Sequence, residues 1–453
     1  MTLAERYAAL LPPEVQEQVT LHAAGKWKEL ELQAYWFAGD FGREFRTTTG
    51  DHLRIVQFGV WNHEAGPDFS DAAVSINGGE ARLGAIEFDQ DARDWERHGH
   101  AQNPAYEGVV VHVFTKASGP EFFTRTVQHR NVPQVLLDTA MLRHDPPNPL
   151  PEAKLGRCAG PLAALPEERV RAILTGAADY RLKRKSAMLA RLSEAHGADE
   201  ALYQALATAL GYKSNKLPFL LVAQRLPVKQ LARAKEEIEA LVFGVSGFLP
   251  DRDLTDFDSP TRAYLRGLWE RWWRRRGEFS RLVLAAGLWR MSGQRPVNHP
   301  QRRLAALAQI VRAWSKIQRL RQRGEIEPWR ELFEGFHDPY WDHHYTLTSK
   351  PSAKPMALIG ESRLAEILVN VLLPLAALEG DRHAELYKKL RAPLSNRRVE
   401  VAAVRLFGGS ATGRELIKSA AMQQGLLQVY EDFCMQDASD CAQCRFPRQL
   451  GQW

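Results

Sequence analysis

Cysteine is scarce in this chain, four in 453 residues, too few for a disulfide framework at this size. Long apolar runs are missing as well. The most apolar stretch, Leu364 to Leu378, is interrupted by Glu366, Asn370 and Pro374. It falls short of the roughly 20 residues a membrane-spanning helix needs, so no membrane anchor is expected. The first eighteen residues carry Glu5, Arg6, Glu14 and Glu17 among short apolar pairs, which argues against a signal-peptide core. Few thiols and no export signal make the cytoplasm the expected compartment. Internal repeats and low-complexity tracts are absent too.

Charge of one sign is not in large excess. Lys plus Arg exceed Asp plus Glu by six, too little to imply a polyanionic partner. The distribution is uneven, however: from Arg262 to Arg330 seventeen basic residues face four acidic ones, a local +13 that leaves −7 for the rest of a +6 chain. Within this band Arg271, Arg274, Arg275 and Arg276 interleave with Trp269, Trp272 and Trp273, and Arg302 and Arg303 follow. Guanidinium groups neutralise phosphates and indoles stack on bases, so the mixture suits nucleic acid. An ordinary amphipathic helix, with its tryptophans in the core and its arginines in water, has the same composition.

What is present in quantity is apolar surface. With 45% hydrophobic residues the chain can bury more than one core, and its length suggests two or three units. Helical spacing over Gly25–Phe37 is followed by short β-like runs at His52–Trp61, Ala72–Ile76, Leu83–Phe88 and Val109–Phe114, with a short helix near Ala92–His98. The run Asp145-Pro146-Pro147-Asn148-Pro149-Leu150-Pro151 reads as an extended connector. Beyond it, apolar residues recur at helical spacing from Pro166 to Phe433. The expected fold is therefore α+β: an α/β sandwich over 1–145, a Pro-rich linker over 146–157, an all-helical domain over 158–433 and a cysteine tail over 434–453.

The chemistry-bearing residues concentrate between Gly66 and Tyr106. Asp68 follows a Gly-Pro turn, and Glu87 and Asp89, two apart in a strand, share one face. If the strand lies beside the turn, three carboxyl groups converge, and Glu29 of the first helix makes a fourth. Hard oxygen donors so clustered suit Mg²⁺ or Mn²⁺, which polarises a phosphodiester and acidifies bound water. His63, His98, His100 and His112 invite a zinc reading that ranks behind this one, because His98 and His100 share a face only on an extended segment. The run Gly408–Glu415 lacks the Lys-Ser/Thr of a phosphate loop and reads as a turn before a helix starting near Gly413.

Trp61-Asn62-His63-Glu64-Ala65-Gly66-Pro67-Asp68-Phe69, with Gly84-Ala85-Ile86-Glu87, Asp94-Trp95, His98-Gly99-His100, Tyr106 and Val111-His112-Val113, resembles the bacterial domain-of-unknown-function family 2851 over most of the chain. The N-terminal part in turn resembles the PD-(D/E)XK nuclease superfamily. That likeness implies a restriction-endonuclease-like sandwich in which Asp68 and Glu87 are the metal-binding acids, with Gln102 and Tyr106 as the Gln-x-x-x-Tyr element of RecB-type nucleases. Asp89 stands where a catalytic lysine is normal, which leaves His98, His100 or Lys116 to take that role. The expected function is a metal-dependent nuclease-like protein acting on or binding nucleic acid, DNA in preference to RNA. The alternative is a non-catalytic nucleic-acid-binding or scaffolding protein on a degenerate nuclease fold.

Cys434, Cys441 and Cys444, in a Cys-x6-Cys-x2-Cys pattern, and the distant Cys158 supply four thiolates. That number suffices for Zn²⁺ or a 4Fe-4S cluster, an arrangement similar to the iron staple of AddB-type nucleases.

Overall fold

A computed structural model describes residues 1–11, 29–37, 39–61, 66–118, 122–139, 160–212, 214–250, 253–291, 295–323, 325, 327–378, 387–388, 390–393, 397–408, 411–435 and 446–453. The fold is α+β, with a mixed sheet followed by a large helical part. The strands are β1 (Glu44–Arg46), β2 (His52–Gln57), β3 (Val60–Trp61), β4 (Phe69–Ile76), β5 (Arg82–Asp91), β6 (Val109–Lys116) and β7 (Gln134–Leu136). They run in the order β1-β2-β4-β5-β6-β7, with β3 paired to β4. The first pairings are antiparallel, whereas β6 lies parallel to β5 and β7 parallel to β6.

That change of direction places the functional residues. Antiparallel β4 and β5 need only the tight Asn77-Gly78-Gly79 turn, but a parallel neighbour requires a crossover. The chain from β5 to β6 supplies it with a short helix, Asp94–Arg97, and two 3-10 turns, His100–Gln102 and Pro104–Tyr106. Ile86 and Phe88 of β5 join Val111 and Val113 of β6 in the main core. Strand alternation therefore sends Glu87, Asp89 and His112 to the opposite face, where the crossover covers them.

On the core side, Trp36 and Phe37 of the helix Glu29–Phe37 pack against Phe88 and Phe69, with ring centroids 6.4 and 5.9 Å apart. The same apolar cluster continues through Leu206, Phe219, Trp272, Leu304 and Trp341, so the sheet and the helices after it share one core. The proline-rich run Asp145–Pro151 lies outside the described residues. A second cluster gathers Tyr7, Leu174, Leu406, Leu426 and Phe433. Here the first helix, Leu3–Ala9, meets the C-terminal segment: Tyr7 donates to Asp432 Oδ2 at 2.9 Å, and the Arg6 guanidinium lies 4.7 Å from the Trp453 ring. The N-terminal helix thus packs among helices rather than on the sheet.

One detail differs from the spacing-based expectation. The helix expected from Gly413 begins at Ala411 and stops at Leu416; a new one, Ala420–Val429, starts where Ser419 Oγ accepts from Met422 N at 3.3 Å, a side-chain cap that competes with helix continuation. The loop Tyr340–Tyr345, chemically rich in sequence, is a packing knot. Tyr340 stacks between Tyr264 and His344 at 3.7 and 3.8 Å, and Trp341 Nε1 donates to Glu239 at 2.8 Å.

Helix Ala420–Val429 approaches the long helix Glu167–His196 so closely that a Cβ on Gly425 would sit 2.0 Å from the Leu174 carbonyl oxygen. Neither backbone can yield without moving a helix, so Gly425→Ala is expected to destabilise the fold by about 1–3 kcal/mol. Gly451→Ala, in open space, should be neutral. Denaturant midpoints of the two variants check this.

Candidate functional site

Asp68, just before β4, and Glu87, on β5, are tied reciprocally across the strand pair. Asp68 N donates to Glu87 Oε2 at 3.0 Å, and Phe88 N donates to Asp68 Oδ2 at 3.0 Å. Each carboxylate is held by the backbone of the other's neighbourhood, so their relative placement does not depend on flexible side chains. Burial pushes the Asp68 carboxyl well above the usual range, and the nearby Glu87 charge adds to the rise. Glu87 is pushed up to about 9 by burial, then by Asp89 and Glu29. Glu29, in the first turn of its helix, is raised by burial and by Asp89. Four carboxyl groups thus feel one another, the situation that a bound cation relieves.

Asp89 has other partners. Its Oδ2 lies 3.1 Å from His112 Nε2 and its Oδ1 lies 3.2 Å from His98 Nδ1. Behind His112 runs a chain of polar groups. Thr48 Oγ1 donates to Gln134 Oε1 at 3.1 Å, Gln134 Nε2 donates to Thr124 Oγ1 at 2.8 Å, and Thr124 Oγ1 lies 2.6 Å from His112 Nδ1. The Asp89 carboxylate can only accept from Nε2, which leaves Nδ1 of a neutral ring to accept from the Thr124 hydroxyl. His112 is then the neutral Nε2–H tautomer donating to Asp89. The downward displacement of the His112 pKa by burial agrees.

Glu87 also has an imidazole partner, His100 Nε2 at 3.0 Å from Oε1. The His100 ring stacks on Tyr106 with centroids 4.0 Å apart and meets the edge of Trp95 at 5.5 Å. Trp95 is fixed in turn by donating Nε1–H to the Arg125 carbonyl at 3.0 Å. Burial pulls the His100 pKa down against the pull of Asp89 and Glu29.

The expectation that His98 and His100 need an extended segment to act together does not hold. Gly99, at φ +75°, reverses the chain between the end of the Asp94–Arg97 helix and the following 3-10 turn, bringing the two rings to 5.4 Å. A glycine between two histidines was the sequence signal for that turn. His112, named in the sequence only within the zinc reading, owes its contact with Asp89 to the parallel register that sets it opposite Glu87.

The remaining candidates are distributed as follows. Tyr106 is buried at the site, while Gln102 is exposed on its 3-10 turn. Cys434 is half-buried against the second core, and Cys158, Cys441, Cys444 and His63 lie outside the described residues. In the basic band, Arg274 and Arg276 are exposed, and Arg276 lies 4.8 Å over the Trp273 ring. Arg271 donates to the Gly267 carbonyl at 3.0 Å, and Arg275 pairs with Glu237 at 2.5 Å and Glu278 at 2.8 Å. Arg302 and Arg303 do not face solvent. Arg302 is fully buried and donates to the carbonyls of Trp341, His344, Met356 and Ala357, and Arg303 donates to the Leu358 carbonyl at 2.7 Å. These two guanidiniums organise a loop and are out of reach of a phosphate. Among the described residues no helix is long and apolar enough to cross a membrane.

No curated protein and no solved structure matches the chain. A family model described as protein of unknown function (DUF2851) matches residues 29–396, a span that runs from Glu29 through the whole carboxylate and histidine cluster. The chain belongs to the DUF2851 family.

Proposed function

We propose that this protein is a divalent-metal-dependent phosphodiester hydrolase acting on nucleic acid, DNA in preference to RNA, on a restriction-endonuclease-like sandwich. The observation that carries it is the reciprocal lock between Asp68 and Glu87, the first half-buried and the second buried, two carboxyl groups whose proton affinities are raised by desolvation and by the carboxylates around them. The helix Glu29–Phe37, the antiparallel strands β2, β4 and β5, the short crossover helix and parallel β6 support the sandwich.

Asp68 and Glu87, with Glu29 close by, offer the oxygen donors that Mg²⁺ or Mn²⁺ prefers. Bound there, such an ion supplies charge neutralisation on the phosphate and a more acidic water. Asp89 occupies the position of the usual lysine, so a cationic or proton-accepting group must come from elsewhere. His98, half-exposed and 3.2 Å from Asp89, is placed to fill that role, through its ring or through a cation that it helps to hold. Tyr106 fixes His100 by stacking and thereby holds Glu87 in position. Trp269 and Trp273 stack at 4.8 Å, and Trp273 is 52% exposed. Together with Arg274 and Arg276 they offer a platform for an unpaired base.

The test is cleavage of labelled single- and double-stranded DNA and RNA with Mg²⁺ or Mn²⁺. Chelation is expected to abolish it, and Asp68→Asn or Glu87→Gln to lower it at least about a hundredfold. Equal cleavage by these variants sinks the proposal. Salt-sensitive binding without cleavage, unchanged in both variants, would instead favour a non-catalytic binder that uses the Trp273 face.

A further inference from the structure

Asp68 and Glu87 leave unexplained why His98 is turned onto the neighbouring acid, Asp89, with His100 beside it. We propose that Asp89, His98 and His100 form a second divalent-cation subsite, of mixed oxygen and nitrogen donors, that takes Mn²⁺ or Zn²⁺ in preference to Mg²⁺. The three residues each present a ligand atom, all within 4.8 Å of one another. Metal–nitrogen bonds of about 2.1 Å place tetrahedral donors roughly 3.4 Å apart, so the three atoms need only small side-chain adjustments to share an ion.

The surroundings are those of a ligand set rather than of a chance cluster. Asp89 is oriented by His112, and His112 by Thr124, Gln134 and Thr48 in one continuous chain of hydrogen bonds. This leaves Asp89 Oδ1 directed at His98. A carboxylate held from behind is the usual support of a metal ligand. The His100 ring is set by Tyr106 and Trp95, and Gly99 supplies the left-handed turn that brings His98 alongside it. Asp89 and His100 are buried, whereas the His98 side chain is 45% exposed. The exposed edge gives an ion a way in and leaves a position for water, as sites with three protein ligands do. Imidazole donors favour borderline transition ions, and Mg²⁺ parts reluctantly with its water. Glu87, 3.0 Å from His100, joins this subsite to the all-oxygen pair.

The subsite deepens the hydrolase proposal, resting on it for the use of the ion but not for its binding, so the two can fail separately. The full chain is titrated with Mn²⁺ and followed by electron paramagnetic resonance, with ¹⁴N modulation read on the bound ion. Wild type is expected to show imidazole nitrogen coupling that Zn²⁺ removes and a tenfold excess of Mg²⁺ does not. Asp68→Asn should keep the coupling. His98→Ala should weaken binding at least about tenfold, and the His98→Ala/His100→Ala double variant should lose the coupling. Bound Mn²⁺ without nitrogen coupling, no bound Mn²⁺ at millimolar concentration, or coupling unchanged in the double variant would overturn the subsite. Because the decisive signal is read on wild type, a folding defect in a variant cannot mask the answer.

Discussion

Glu87→Gln is expected to make the metal-free protein more stable at pH 8, although it removes a side chain at the centre of the candidate site. In the fold Glu87 holds its proton up to about 9, because burial and then Asp89 and Glu29 oppose ionisation, whereas an exposed glutamate titrates near 4.3. The sign follows from proton counting. Between those two values the folded state holds a proton that the unfolded state has lost, so stability falls as pH rises across that window. The raised group contributes fully below the unfolded value, and its contribution is gone above the folded one. Gln keeps the shape and cannot ionise. At pH 8, with a chelator present, the variant should exceed wild type by on the order of 5 kcal/mol, and the gap should close near pH 4.5. Added Mn²⁺ should reverse the order, because the ion requires the carboxylate ionised. Thermal unfolding of both proteins against pH, with chelator and with Mn²⁺, reads the effect. A variant less stable than wild type at every pH would mean that Glu87 is an ordinary structural acid.

Arg302→Leu is expected to be among the most damaging single changes in the helical part. The side chain is fully buried in the helix Pro300–Arg312, and its two terminal nitrogens donate to the carbonyls of Trp341 and His344 on one side and Met356 and Ala357 on the other. Leucine would leave those acceptors without donors, and a buried unsatisfied group costs roughly 1–3 kcal/mol. Even partial relaxation leaves a loss of about 4 kcal/mol or more. Arg302→Lys should recover only part of it, since an ammonium lacks the planar fork that serves two pairs of acceptors at once. Arg276→Ser, at an exposed position, should stay within about 0.5 kcal/mol. Denaturant midpoints of the three variants give the comparison, and an Arg302→Leu loss below 1 kcal/mol would contradict it.

Arg302 also marks the limit of what the sequence discloses. Counting charges placed it with Arg274 and Arg276 in one basic band, and the count is correct. What the count cannot contain is the return of the chain at 341–358 over the helix carrying Arg302, which converts a surface cation into an internal tie. The site divides in the same way. Glu87 and Asp89 were legible because strand alternation is a local rule and β5 obeys it, and Asp68 because it follows a Gly-Pro turn. The partnership of Asp89 with His112 was not, since it requires β6 to lie parallel to β5 in a particular register, a non-local fact. His98 and His100 fall between these cases: the intervening Gly99 was visible, but the covering crossover that gives it meaning was not. The α+β division followed from the change in hydrophobic period. The shared core of sheet and helices did not, because periodicity says which face is buried and not against what.

The most direct measurement is anomalous diffraction from crystals soaked in Mn²⁺. A hydrolase of the kind proposed predicts a peak within about 2.2 Å of carboxyl oxygens of both Asp68 and Glu87, absent in Glu87→Gln. A well-occupied peak elsewhere with none between those two acids would contradict it, even if the ion were found on His98 and His100.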